Sequence, residues 1–218
     1  MLRNSRLRWL FGLLAALSLL AAACGDDSEG GDGGDGGGGG ESALPECLDF
    51  QAIYSLVGPE ATATNWSEAT DLADTAGSQY GADFPDLPLA ITGPGEESGT
   101  FDSFTELAIE PVAEAQGLPE EEWLPRPDYT SSPNDNVIIE GVGGAEGSLG
   151  WVGFAFYQEN TDTVRAFQVA GEDGTCVEPT PETISAGEYP LARDLYIYVN
   201  ATEAESNPAV QAYVDLYL

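Results

Sequence analysis

A short apolar run halted by three turn-forming residues leaves a chain little freedom, and residues 87–104, LPLAITGPGEESGTFDSF, contain one. The apolar run 88–92 is predicted to be a strand, and Gly93-Pro94-Gly95 stops it. Ser98 then stands where a helix N-cap belongs, with Phe101, Phe104, Leu107 and Ala108 following at helical spacing. Strand, glycine turn and helix start together present two hydroxyls, Ser98 and Thr100, around Gly99. The first turn of a helix has backbone N–H groups without partners and the positive end of the helix dipole, so such a corner suits an oxyanion.

Glu96 and Glu97 sit at the mouth of that corner, where negative charge repels a bare anion. A carboxylate is useful there if the oxyanion still carries a proton to donate, as hydrogen phosphate does at neutral pH and sulfate does not. The alternative is that both glutamates only favour the helix N-terminus and nothing binds.

The charge balance narrows the possible partners. The 218 residues contain 38 acids against six basic residues, all of them arginine, with no histidine. Three arginines fall in the first ten positions, before any acid; without that segment three arginines face 38 acids, a net charge of −35. Nucleic acid and anionic membrane surfaces are excluded as partners on this ground. An anion can still bind, through neutral dipoles and one well-placed arginine. Enzymatic chemistry is disfavoured too: there is no histidine for a Ser-His-Asp relay, no lysine for a phosphate-binding P-loop, and no ligand set for zinc. No cofactor is expected.

The amino terminus has the layout of an export signal. Arg3, Arg6 and Arg8 form its positive region, and residues 9–23 are apolar but too few to span a membrane comfortably. The segment ends in Ala21-Ala22-Ala23-Cys24, which resembles a bacterial lipoprotein cleavage box with Cys24 as the lipidated residue; an ordinary secretory signal with a chance cysteine is the alternative. We therefore expect a signal peptide over 1–23, a flexible glycine- and acid-rich tether over 24–43, and a folded domain over 44–218. The tether lacks apolar residues from 25 to 42 and would reach roughly 20–25 Å as a coil. The expected location is the outer face of the cell membrane, held by lipid alone.

With Cys24 assigned to lipid, Cys47 and Cys176 remain in an oxidising setting, to be paired or to stand as two separate buried thiols. Further along, a helix is expected over 48–56, and Trp66 as a packing anchor in a loop. Ser132 is expected to N-cap a helix over 137–142, with strands over 150–157, 164–170 and 195–199. Pro111 is expected to disturb the central helix, and Gly117 to end it. Short helices should begin at Pro181 and Pro208. Strands alternating with helices give an α/β architecture around a central mixed or parallel sheet. Arg126, one of the three remaining arginines, is a candidate charged ligand for the anion or, alternatively, an ion-pair partner of Asp128.

Five ordered blocks, TGPGEESGTFDSFTE, RPDYTSSPNDNVIIEGV, GSLGWVGFAFYQEN, CVEPTPETISAGEYP and ARDLYIYVN, resemble the phosphate-binding component of the phosphate ABC transporter, of the periplasmic-binding-protein type II fold. The resemblance implies a lobe with a central mixed sheet flanked by helices, inorganic phosphate as ligand, and an ABC permease and ATPase as partners. It implies that Ser98, Gly99 and Thr100 cap a helix onto phosphate, that Glu97 or Glu96 accepts the phosphate proton, and that Arg126 supplies charge. The family's earlier Gly-Ser-Ser-Thr type loop has no counterpart here, Glu replaces its usual Asp, and relatives continue beyond Leu218. An incomplete two-lobe architecture is therefore expected, with weak or absent phosphate binding by this polypeptide alone. The competing reading is an acidic surface lipoprotein acting as an interaction or regulatory module with a vestigial anion site.

Overall fold

The computed structural model describes residues 44–217. The expected signal peptide, Cys24 and the tether to residue 43 lie outside the described residues. The chain opens with β1 (Cys47–Leu48) and α1 (Phe50–Val57). Asp49 caps α1 by accepting from Ala52 N at 2.7 Å, and its carboxylate also receives Ser78 Oγ and Gln79 N, each at 2.7 Å. Three donors explain how a carboxylate 7% exposed is tolerated. Leu48, expected inside this helix, belongs to the strand before it, because the cap at Asp49 fixes where the helix can start.

A 3-10 turn (Trp66–Ala69) leads into α2 (Thr70–Ala76). Trp66 is fully buried, packs edge-on to Phe84 at 5.5 Å, and donates its indole N–H to Gly147 O at 2.8 Å. The packing role expected of it holds, within a helical turn rather than an open loop. Next come β2 (Ala90–Gly93) and α3 (Gly99–Phe104). The helix widens to a π segment (Thr105–Ile109) and continues as α4 (Glu110–Gln116). Pro111 explains the widening: it has no N–H to return to the preceding turn, and the Glu110 N–H bonds five residues back to Thr105 O. Gly117, at φ +81°, closes the helix as expected.

Then follow β3 (Thr130–Ser131), α5 (Asp135–Gly143), β4 (Ser148–Gly150), α6 (Phe154–Gln158), β5 (Gln168–Ala170), β6 (Cys176–Val177), α7 (Pro181–Ser185), α8 (Ala201–Ser206) and α9 (Pro208–Tyr217). The α/β class is borne out, and the strands form two three-stranded sheets, β1-β5-β6 and β3-β2-β4. In the second, β2 runs parallel to both neighbours, Thr92 facing Thr130 on one side and Gly150 on the other. In the first, β1 is parallel and β6 antiparallel to β5.

Four further expectations are corrected. The helix after Pro133 is capped by Asn134, which accepts from Asn136 N at 3.1 Å, while Ser132 Oγ accepts from Asn134 N and forms the turn before it. In the stretch 150–157 only Gly150 is in a strand. Trp151 turns into the core, and α6 takes the aromatic residues, since β4 has a partner only as far as Thr92. The strand expected over 164–170 shortens to β5. Residues 195–199, LYIYV, form no strand, because none of the described strands lies beside them.

Cys47 and Cys176 are disulfide-bonded, with Cα atoms 6.1 Å apart, and tie β1 to β6 across β5. The bridge spans 129 residues, so replacing both cysteines by serine is expected to cost roughly 4–5 kcal/mol if chain entropy dominates. Urea denaturation of the full chain reads this directly; a loss under about 1 kcal/mol contradicts that origin.

Candidate functional site

The site is built at the carboxyl end of β2. Gly93 closes the strand, and the indole of Trp151 lies so close that a Cβ there would meet it at 2.7 Å, so only glycine fits. Gly93 O accepts from Ser132 N at 3.0 Å, and Pro94 O accepts from the Tyr129 hydroxyl at 2.6 Å. Phe104 stacks on Trp151 at 4.5 Å, and the Tyr129 ring lies tilted against the same indole at 5.1 Å. Turn, strand β3 and helix α3 are thereby pinned to one aromatic cluster.

On that base Ser98 has extended backbone, φ −107° and ψ 130°, and its hydroxyl accepts from Thr100 N at 3.2 Å. Ser98 N donates to Gly95 O at 3.0 Å, and Asp102 N donates to Ser98 O at 3.2 Å, the first bond of the helix. Ser98 and Thr100 are half-buried, while Glu96, Glu97 and Gly99 are exposed. The Glu97 carboxylate folds over Gly95, where a Cβ would come within 2.5 Å of it. Burial, and then the charges of Glu97 and Glu96, hold the Tyr129 hydroxyl above the ordinary tyrosine range. Both carboxylates thus lie within electrostatic reach of the Tyr129 hydroxyl that bonds the turn.

Arg126 is placed differently. It is 4% exposed, and its guanidinium grips the Asp128 carboxylate with two donors, Nε at 2.5 Å and Nη2 at 2.8 Å. Its Nη1 donates to Ala63 O at 2.8 Å and Leu56 O at 3.4 Å, and its backbone N donates to Val57 O at 2.8 Å. The cation therefore sits on the carbonyl end of α1, where the helix dipole is negative. Of the two roles the sequence left open, the structure displays the ion pair. No hydrogen bond joins Arg126 to the Ser98-Gly99-Thr100 corner among the described residues.

Tyr129 and Trp151, the walls that hold the corner, were missed as site residues in reading the sequence. The signal lay in Gly93 and Gly150: a Cβ on Gly150 would fall 2.1 Å from Thr92 O, so both glycines mark where β2 is closely approached. An open cavity of about 970 Å³ adjoins the helix start at Gly99, Thr100 and Ser103, and its walls are mainly apolar, including Phe104, Trp151 and Tyr189. Among the described residues no cluster of His, Cys, Asp or Glu could hold a metal ion, and no helix is long and apolar enough to cross a membrane.

Residues 49–218 match the model of the PBP superfamily domain. Protein SphX of Synechocystis is 41% identical over 154 residues, covering 70% of this chain and 43% of its own. The phosphate-binding protein PstS of Staphylococcus saprophyticus is 30% identical over 137 residues, covering 62% and 38%. The crystal structure of a possible phosphate binding protein from Planctomyces limnophilus superposes with a TM-score of 0.52 at 32% identity, over 66% of this chain and 44% of that one. The chain thus spans less than half the length of these relatives.

The Arg126 anchor makes a stability prediction. Arg126→Met leaves two carbonyls and a carboxylate without their donors and is expected to cost about 2–4 kcal/mol in urea denaturation at pH 7. The hydrogen bond from Arg126 holds the Asp128 carboxyl below the ordinary aspartate range. Its contribution is therefore complete above the unfolded aspartate value and is lost as pH falls through the depressed one. Below about pH 4 the native chain should lose stability more steeply than Asp128→Asn; parallel profiles would contradict the pairing.

Proposed function

The chain belongs to the PBP superfamily, and from that membership we propose that it is a substrate-binding protein of phosphate import. The observation that carries the reading is the corner itself: Ser98, Gly99 and Thr100 at a helix start, with two carboxylates at the mouth. N–H dipoles and hydroxyls supply donors to the phosphate oxygens, and Glu97 or Glu96 accepts the proton that hydrogen phosphate still carries. Arg126, held by Asp128, would add charge at a distance, as a positioning cation more than a direct clamp. In this reading an ABC permease and ATPase receive the ligand. Cys24 carries the lipid that holds the protein at the outer face of the cell membrane, and residues 24–43 are the tether.

Affinity follows from how much of the ligand one corner can surround. A micromolar site is worth about −8 kcal/mol; if half the contacts are present, about −4 remains, a dissociation constant near millimolar. Solvent also competes for each bond in an unenclosed site.

Isothermal titration of the full chain with phosphate at pH 7 is expected to show weak binding in this range, lost in Ser98→Ala/Thr100→Ala. Submicromolar binding would overturn the half-site reading, and binding unaffected by the double substitution would overturn the corner. Glu97→Gln removes the proton acceptor. It should lower the preference for phosphate over sulfate by roughly tenfold or more, the worth of one charged hydrogen bond.

A further inference from the structure

Two buried side-chain polar atoms among the described residues have no hydrogen-bond partner, Thr105 Oγ1 and Trp151 Nε1. The second lies at the candidate site. Trp151 is 9% exposed and is the first residue after β4. β4 runs parallel to β2, so the indole leaves the sheet at the same carboxyl edge as the Gly93-Pro94-Gly95 turn. Ligands of open α/β sheets bind outside that edge.

The surroundings explain why the N–H is left over. A Cβ on Gly93 would meet Cη2, Cζ2 and Cε2 of the indole at 2.7, 2.8 and 2.9 Å, and Cε2 is bonded to Nε1. The nitrogen end of the ring therefore lies against the turn. There, Gly93 O is taken by Ser132 N and Pro94 O by the Tyr129 hydroxyl. A buried indole N–H ordinarily finds an acceptor, and the other two indoles of the described residues have one. Trp66 donates to Gly147 O at 2.8 Å and Trp123 to Leu118 O at 2.9 Å. Trp151 lines the open cavity together with Gly99 and Thr100, so an acceptor can arrive from that side.

We infer that the Trp151 indole N–H is a further donor to the anion at the Ser98-Gly99-Thr100 corner, a role that rests on the phosphate reading. A buried donor without a partner costs free energy, and an oxygen of the ligand recovers that cost on binding. A neutral donor also suits a chain of net charge −32 whose described arginines are already engaged with acids and carbonyls.

The chemistry of this donor complements the carboxylates at the mouth. An indole N–H donates and cannot accept, so it serves only an oxygen that carries no proton. An ionised Glu97 or Glu96 accepts and cannot donate, so it serves only the oxygen that carries one. Hydrogen phosphate has oxygens of both kinds. A donor-only group and an acceptor-only group at one corner therefore fix which way round the ion sits.

The test titrates the isotope-labelled full chain with inorganic phosphate at pH 7. The Trp151 indole resonance, assigned by its loss in Trp151→Phe, should move downfield, as an N–H does on gaining an acceptor. It should saturate together with the Gly99 and Thr100 amides, while the Trp66 and Trp123 indoles, which already have acceptors, stay in place. Trp151→Phe keeps an aromatic ring on Phe104 and removes the donor. In isothermal titration it should bind phosphate about fivefold more weakly than the native chain, the worth of one neutral hydrogen bond. If Gly99 and Thr100 move while the Trp151 indole stays, or if Trp151→Phe binds as tightly as the native chain, this inference is overturned and the phosphate reading stands. If none of the three resonances moves, the phosphate reading is overturned and this inference with it.

Discussion

A strand of four residues carries the candidate site. Ala90–Gly93 is held on both edges by parallel partners, and its last two residues are where every approach is tightest. A methyl group on Gly141 would meet the Thr92 hydroxyl at 2.6 Å, and one on Gly150 would meet the Thr92 carbonyl. Close packing of this order leaves the strand no room to slide, so the chain leaves it at one fixed point. The turn, the Ser98 cap and the first N–H groups of α3 are then displaced in a set direction by covalent geometry alone. Tyr129 and Trp151 complete the support, the first by donating to the turn at Pro94 O and the second by stacking on Phe104 of the helix.

Charge has been distributed in an unusual way around this frame. Each of the three arginines within the described residues ties backbone or acid in place. Arg126 holds Asp128 and the end of α1. Arg165 lies over the Phe167 ring at 4.8 Å and donates to Pro45 O at 3.0 Å, and Arg193 pairs with Glu106 at 2.9 Å. An anion site in such a chain would rest on backbone dipoles and hydroxyls, which bind an oxyanion without raising net positive charge. The same neutrality suits discrimination, since a carboxylate beside neutral donors accepts a proton-bearing ion and repels one without a proton.

Local chemistry was legible in the sequence; pairing was not. Ser98 as cap, Gly117 as terminator and Pro181 at the start of α7 each depend on one or two neighbours, and the structure has each of them. Pro111 announced a disturbance whose form, a π segment, depends on how α4 packs. Residues 150–157 and 195–199 have the composition of strands, but a strand exists only where another lies beside it; the first run lost its partner after Gly150, and the second has none among the described residues. Arg126 was ambiguous for a related reason. Its spacing from Asp128 allows a pair, and only the tertiary fold brings Leu56 O and Ala63 O to its other edge.

Amide chemical shifts test the corner most directly. In a nitrogen–proton correlation spectrum of the labelled full chain, titrated with phosphate at pH 7, the Gly99 and Thr100 N–H resonances should move and saturate together, while sulfate at equal ionic strength leaves them in place. Stationary Gly99 and Thr100 resonances at phosphate concentrations that shift other parts of the spectrum would contradict the account.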